Sequence, residues 1–268
     1  MLPKPNDAFS WVQAGAGPAL VCRALEPYAA HLFTSRPWPL ASAADDDRAA
    51  AWGDVARALD VDAAHLSRAH QVHGTSVLVR RRGDPPPPAD WPLPDADIIV
   101  SDDPALALAI QTADCVPLLV ADKRTGAVAA AHAGWRGLAA GVPQVVVEAL
   151  RETFGSRPED LVAAIGPSIS ASRYEVGADV RDRFEAAGHS PAELSGWFLD
   201  GARPAHWQFD GWRSAREQLE RAGVLRDHIY GAAFCTASYP DAFCSYRRDG
   251  KAAGRIAGAV RPRGARMP

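Results

Sequence analysis

The chain has 268 residues, 47% of them hydrophobic and 23% charged, and a formal net charge of -3. These values suit one large globular domain with a core of ordinary size, which needs neither disulfides nor a partner to hold it. They exclude the global basic field on which nucleic-acid binding depends.

The N-terminus, MLPKPNDAFSWVQ, lacks the charged-then-apolar pattern of a secretory signal. No uninterrupted apolar run approaches the roughly 18 residues that span a bilayer. A cytoplasmic protein with no membrane partner is therefore expected. Cys22, Cys115, Cys235 and Cys244 are widely spaced and form no CxxC pair, so they are expected as reduced thiols.

In chain order, DDDRAAAWGDVARALD (45–60) predicts a helix with acids at its start. HQVHGTSVLVRRR predicts a strand from about Thr75, and RRGDPPPPADWPLPDAD predicts a surface loop. DIIVSD, LALAIQTADC, VPLLVAD and GAVAAAHA are short apolar runs between turn signals, as expected of strands buried on both faces. VPQVVVEALRETFG (142–155) predicts a helix with Pro143 in its first turn, an apolar stripe of Val146, Leu150 and Phe154, and Gly155 as its stop.

LVAAIGP predicts another buried strand. DVRDRFEAAG predicts a helix, and a further helix runs from about Trp212 to Ala222. HIYGAAFCT and DAFCSYRR read as late strands, and RPRGARMP as a tail. Strands and helices alternate only in part, which points to an α+β domain with mixed sheets rather than a doubly wound parallel sheet. A single domain over residues 1–260 is expected, with a flexible tail over 261–268.

Three residues stand out beside strand ends: His73 in QVHG, Cys115 in TADC and His132 in HAGW. A thiolate with two neutral imidazoles is a ligand set suited to zinc, and three protein ligands leave a fourth position for water or substrate. Separations of 42 and 17 residues say little alone. Cys115 also reads as a small buried hydrophobe, His132 as a core imidazole and His73 as a loop residue. Asp114 reads as a turn cap, Arg136 as a stem packed on Trp135, and Arg247 as a solvated hairpin end.

QVHGTSV, DADIIVSD with TADCVPLLVAD, HAGWRG, AAIGPSIS with YEVG, and CT, FCSYRRDG and GR occur in this order over roughly Gln71 to Arg255. Together they resemble the YfiH-like "laccase domain" family. The resemblance implies a single-domain α/β/β/α sandwich with mixed β-sheets. It also implies zinc on His73, Cys115 and His132, and phosphorolysis of purine nucleosides (adenosine, inosine, guanosine or methylthioadenosine) with added adenosine deaminase activity. The expected partners are thus nucleosides and phosphate; oligomeric state stays open.

Arg136 is then the candidate for anion binding, and Asp114 for acid–base work in deamination. Arg36, Gln71 and Arg247 are candidates for binding substrate. FTSRPWPLASAADDDRAAAWGDVARAL keeps Arg36 and the acids but lacks the family's asparagines and its Gly-Gly turn, and Arg173 stands where the family has a cysteine before YEV.

The old family name suggests copper, but the only methionines are Met1 and Met267 and none of the eight histidines forms a His-x-His pair. A blue-copper or trinuclear centre is therefore the lesser alternative. Two further readings stay open. One is a hydrolase or deamidase with Cys115 as nucleophile and His132 as base. The other is a zinc-stabilised binding domain whose site is closed by a fourth ligand, for which His70 is the residue to watch.

Overall fold

A computed structural model describes residues 2–41, 45–85 and 92–263. In chain order the strands and helices are β1 (Phe9–Ala14), β2 (Gly17–Cys22), β3 (Ala29–Thr34), α1 (Asp45–Ala58), β4 (Leu66–Ser67), β5 (Val77–Arg80), β6 (Ile98–Ser101), β7 (Ala107–Thr112), β8 (Val116–Asp122) and β9 (Val128–Ala133). There follow α2 (Trp135–Ala139), α3 (Val142–Phe154), β10 (Leu161–Ile165), β11 (Glu175–Gly177), α4 (Ala178–Ala186), α5 (Pro191–Trp197) and β12 (Phe198–Asp200). The chain continues through β13 (His206–Phe209), α6 (Gly211–Arg221), β14 (Ile229–Gly231), α7 (Tyr246–Asp249) and β15 (Ile256–Pro262).

Two six-stranded sheets form the frame, in the orders β1-β2-β3-β15-β7-β4 and β14-β10-β8-β9-β6-β5. Both mix parallel and antiparallel pairs: β4 with β7 and β5 with β6 are parallel, while β8 and β9 are antiparallel. Alternation of side chains explains the layering. Leu119, Ala121, Val128 and Ala130 of the second sheet meet Leu20, Phe33, Leu108 and Ile110 of the first.

Leu118, Val120, Ala129 and Ala131 face the other way, onto Val146 and Leu150 of α3 and Ala215 and Leu219 of α6. On the far side, Trp52, Val55 and Leu59 after the start of α1 cover Ala107, Ala109 and Ala257 of the first sheet. The result is an α/β/β/α sandwich, with α+β content as the sequence predicts. A small third sheet, β11-β13-β12, lies outside the two main layers' strand order.

The buried strands β6 to β10 and the helices α1, α3, α4 and α6 fall where the patterning puts them, within a few residues. Three expectations are corrected. DAFCSYRR is not a strand: Ser245 caps the short helix α7 by accepting from the Arg248 amide. Only Ile229–Gly231 of HIYGAAFCT is a strand, paired with β10; past it the pairing shrinks to an isolated bridge between Cys235 and Ser168. Arg261 and Pro262, expected in the tail, instead end β15 and pair with Ala30 and Ala29 of β3. Residues 86–91 of the proline loop and residues 264–268 of the expected tail lie outside the described residues.

Candidate metal centre and its cavity

The site forms where the chain crosses from one sheet to the other. β7 belongs to the first sheet and β8 to the second, and the turn between them carries Asp114 and Cys115. Asp114 has φ 88°, a left-handed conformation that acidic residues tolerate better than bulky ones. β9 runs antiparallel to β8, so His132, opposite Pro117, arrives at the same sheet end. The turn before β5 brings in His73, also left-handed at φ 61°.

The ligand atoms of His73, Cys115 and His132 all lie within 4.8 Å of one another, and Cys115 Sγ is 4.0 Å from His73 Nε2. Among the described residues, no other group of three or more His, Cys, Asp or Glu side chains is arranged to hold a metal ion. His70 is not a fourth ligand: it is exposed and pairs instead with Asp95, Nδ1 to Oδ1 at 2.7 Å.

One buried carboxylate organises the centre. Asp97, fully buried just ahead of β6, accepts hydrogen bonds from the amides of Val72 (3.1 Å), His73 (3.1 Å) and Gly74 (2.7 Å). Its Oδ1 also meets His132 Nδ1 at 2.7 Å. The same side chain thus shapes the turn that presents His73 and fixes which nitrogen of His132 is left for a metal, as carboxylates behind ligand histidines do.

Electrostatics follow from this packing. Burial raises the Cys115 thiol, but the His132 and His73 rings outweigh it and bring the thiol down to about 6. Burial lowers His132, while the Cys115 thiolate and Asp97 lift it to about 9. Burial likewise raises the Asp97 carboxyl, yet hydrogen bonds from His132, Gly74 and Val72 hold it below the usual carboxylate range. A thiolate is what a metal ligand requires. Gly134 adds room: a Cβ there would stand 2.9 Å from His73 Cδ2 and 3.0 Å from Cys115 Sγ.

The three residues open onto a cavity of about 520 Å³. Arg136, Arg247 and Arg255 reach it, as do the aromatic rings of Tyr174, Phe209 and Tyr246. Arg136 stacks on Trp135 (4.3 Å) and stands at the start of α2, as expected. Arg247 lies over the Tyr174 ring (4.9 Å) and donates to the Glu175 carbonyl (3.0 Å).

Gln71 borders the cavity, but its amide is spent on the backbone of Gln111, donating to the carbonyl and accepting from the N–H at 2.8 Å each. Asp114 is also engaged: its carboxylate accepts from Thr236 Oγ1 (2.5 Å), Ser245 Oγ (3.0 Å) and the Arg247 amide (2.6 Å). It ties the Cys115 turn to the segment that carries Tyr246 and Arg247. Arg36 is not brought to this cavity; it donates to the Pro240 carbonyl (2.9 Å) and faces Asp249 (3.8 Å).

The sequence reading missed Asp97, Gly134 and Arg255. The signal for Asp97 was present, since an acid directly before an all-apolar strand is seldom solvated. Tyr174 and Phe209 come from the small third sheet and its approach, and nothing in their local sequence points to a pocket.

Comparison with known proteins identifies the family. The family model described as "Multi-copper polyphenol oxidoreductase laccase" matches residues 40–263. A protein of Deinococcus radiodurans named purine nucleoside phosphorylase is 39% identical over 202 residues, covering 75% of this chain and 72% of its own length. The purine nucleoside phosphorylase YfiH of Escherichia coli (strain K12) is 37% identical over 190 residues, 71% of each chain. The crystal structure of the hypothetical protein YfiH from Bacillus licheniformis superposes with a TM-score of 0.84 at 25% identity, covering 96% of this chain and 100% of that one. The chain belongs to the laccase-like family of the YfiH proteins.

Proposed function

We propose that the protein is a zinc-dependent purine nucleoside phosphorylase. The observation that carries this reading is the convergence of His73, Cys115 and His132 on a cavity that also offers arginines and aromatic faces. The donor set fits zinc: a low-pKa thiol, a histidine oriented by a carboxylate, and a second histidine on a preformed turn. No methionine lies among the described residues lining the cavity, which disfavours blue copper. Zinc, when bound, supplies a Lewis acid next to the substrate.

The rest of the chemistry belongs to the chain's own side chains. Phosphorolysis breaks the bond between purine and ribose and joins a phosphate oxygen to the sugar carbon, with positive charge developing on the sugar. Placing the phosphate against that carbon is the main task. Arg136 and Arg255 supply the charge for it, and Arg247 is held at the rim by its stack on Tyr174. The faces of Tyr174, Phe209 and Tyr246 offer flat apolar surface for a purine.

Deamination of adenosine would be a second activity of the same site, and it needs an acid–base group. Asp114 is the one carboxylate among the described residues lining the cavity, and three donors already hold it. Phosphorolysis therefore leads this reading. A Cys-His hydrolase remains the second reading, favoured by the line Cys115–His132–Asp97, which has the order of a nucleophile, base and orienting acid. It would not need His73.

The deciding experiment uses metal-analysed protein and its His73→Ala variant with adenosine and phosphate. Bound zinc and phosphate-dependent adenine release, both lost in the variant, are expected. Full turnover of amide or ester substrates by metal-free protein, unaffected by His73→Ala, would replace this reading with the hydrolase.

A further inference from the structure

A second cavity, of about 300 Å³, adjoins the first and shares Arg247 with it. Its walls include Arg173, Arg247 and Arg248, with Ser172 and Gln208 between them. The three arginines are not equivalent. Arg248 is used up by the framework: it donates to the carbonyls of Thr236 (2.9 Å) and Phe243 (3.0 Å) and pairs with Asp249 (2.7 Å). Arg247 spends one nitrogen on the Glu175 carbonyl and keeps the others. Arg173 follows Ser172 in a short 3-10 turn, and its exposed side chain has no ion-pair or hydrogen-bond partner among the described residues.

The one acid among the described residues of the wall, Glu175, is neutralised from outside by Arg203, whose Nε lies 2.8 Å from Oε1. Two guanidiniums thus remain uncompensated in a concave polar site. The Oε1 atom of Gln208 is buried there without a partner.

We propose that this second cavity is a phosphate-group subsite, which extends the substrate class from purine nucleosides to their 5′-monophosphates. The inference rests on the nucleoside reading of the first cavity. Arginine forks match phosphate oxygens in a bidentate manner, and the shared Arg247 sets the two cavities side by side. The first cavity has Arg136 and Arg255 for the phosphate that attacks the sugar, so the second is free for one already attached to it. Turnover of such a substrate would yield the purine and ribose 1,5-bisphosphate; the electron pair of the broken glycosidic bond leaves with the purine, which is protonated.

The same chemistry has two sources, a 5′-phosphate or inorganic phosphate, and titration calorimetry separates them. Adenosine, AMP and inorganic phosphate are each titrated into the intact protein and into its Arg173→Ala and Arg173→Glu variants. AMP is expected to bind more tightly than adenosine, and Arg173→Ala to cut the ratio of AMP to adenosine affinity by about tenfold, the scale of one charge-assisted contact. Arg173→Glu should reverse the preference.

AMP binding no tighter than adenosine, or a ratio indifferent to both variants, overturns the proposal. Weakened inorganic phosphate with an unchanged AMP ratio overturns the 5′-phosphate assignment in favour of the co-substrate. Because binding is read without turnover, AMP selectivity that depends on Arg173 in a protein that never releases adenine would keep the subsite and sink the phosphorylase reading. Adenine release without AMP selectivity would do the reverse.

Discussion

Asp97 carries more of the site than any of the three ligands it supports. Its two oxygens take three backbone amides and the His132 ring in a place that water does not reach. Asp97→Ala leaves all four donors without their acceptor, and losing one partner of a buried ionic pair costs about 3–5 kcal/mol. Urea denaturation should show that loss with or without metal. Asp97→Asn keeps the shape but can orient His132 only weakly, so zinc affinity measured by competing chelator should fall about 10–100-fold. Gly134 makes the opposite case, a residue needed for its emptiness. Its φ of -69° suits any residue, so Gly134→Ala should fold with near-normal stability. The added methyl would nevertheless press on both His73 and Cys115, and metal analysis should find a deficient centre.

At the level of elements, the two sheets lock together through side chains that the sequence displays and through approaches that it does not. Gly166, just past β10, sits so close to β3 of the facing sheet that a Cβ there would lie 2.3 Å from Phe33 Cε1. Gly166→Ala should destabilise the fold by about 1–3 kcal/mol through overpacking. Phe33→Leu in the same chain should recover part of it, so a double-mutant cycle should show the two losses to be non-additive. β8, β9 and β10 were legible because they are buried on both faces and read as unbroken apolar runs. β15 was not, because its pairing partners β3 and β7 are far away in sequence and its own residues mix Gly, Ala and Arg. The helix α7 was misread because four residues carry no period; it is held by the Ser245 cap and by Asp114, more than a hundred residues away. The ligands were readable as residue types in a resembling pattern, whereas their supports, Asp97 and Gly134, act through contacts that only the fold creates.

Across the whole molecule, acid stability turns on a histidine far from any chemistry. His31, in β3 near the middle of the first sheet, is almost completely buried. Its Nε2 accepts the Cys22 amide at 2.8 Å, and its Nδ1 donates to the Ala29 carbonyl at 3.2 Å, so both nitrogens are committed to the neutral ring. Burial pushes its pKa down to about 4, and the backbone contacts offset only part of that. The unfolded chain binds this proton near pH ~6.5, so the folded state is favoured in full above that value. As pH falls from there towards 4, the unfolded state takes up a proton that the folded state refuses, and about 3 kcal/mol of stability is lost. The depressed carboxylates Asp160, Glu193 and Asp249 act later: they stabilise the fold above their ordinary unfolded values near ~4 and lose that contribution only at lower pH. Urea denaturation from pH 8 down to about 3 should therefore show an early decline beginning just below pH ~6.5 and a later one below about 4. His31→Gln, which keeps an acceptor for the Cys22 amide but cannot titrate, should flatten that decline while leaving the later one. A decline of unchanged slope in the variant would assign it to other histidines and remove His31 from the account.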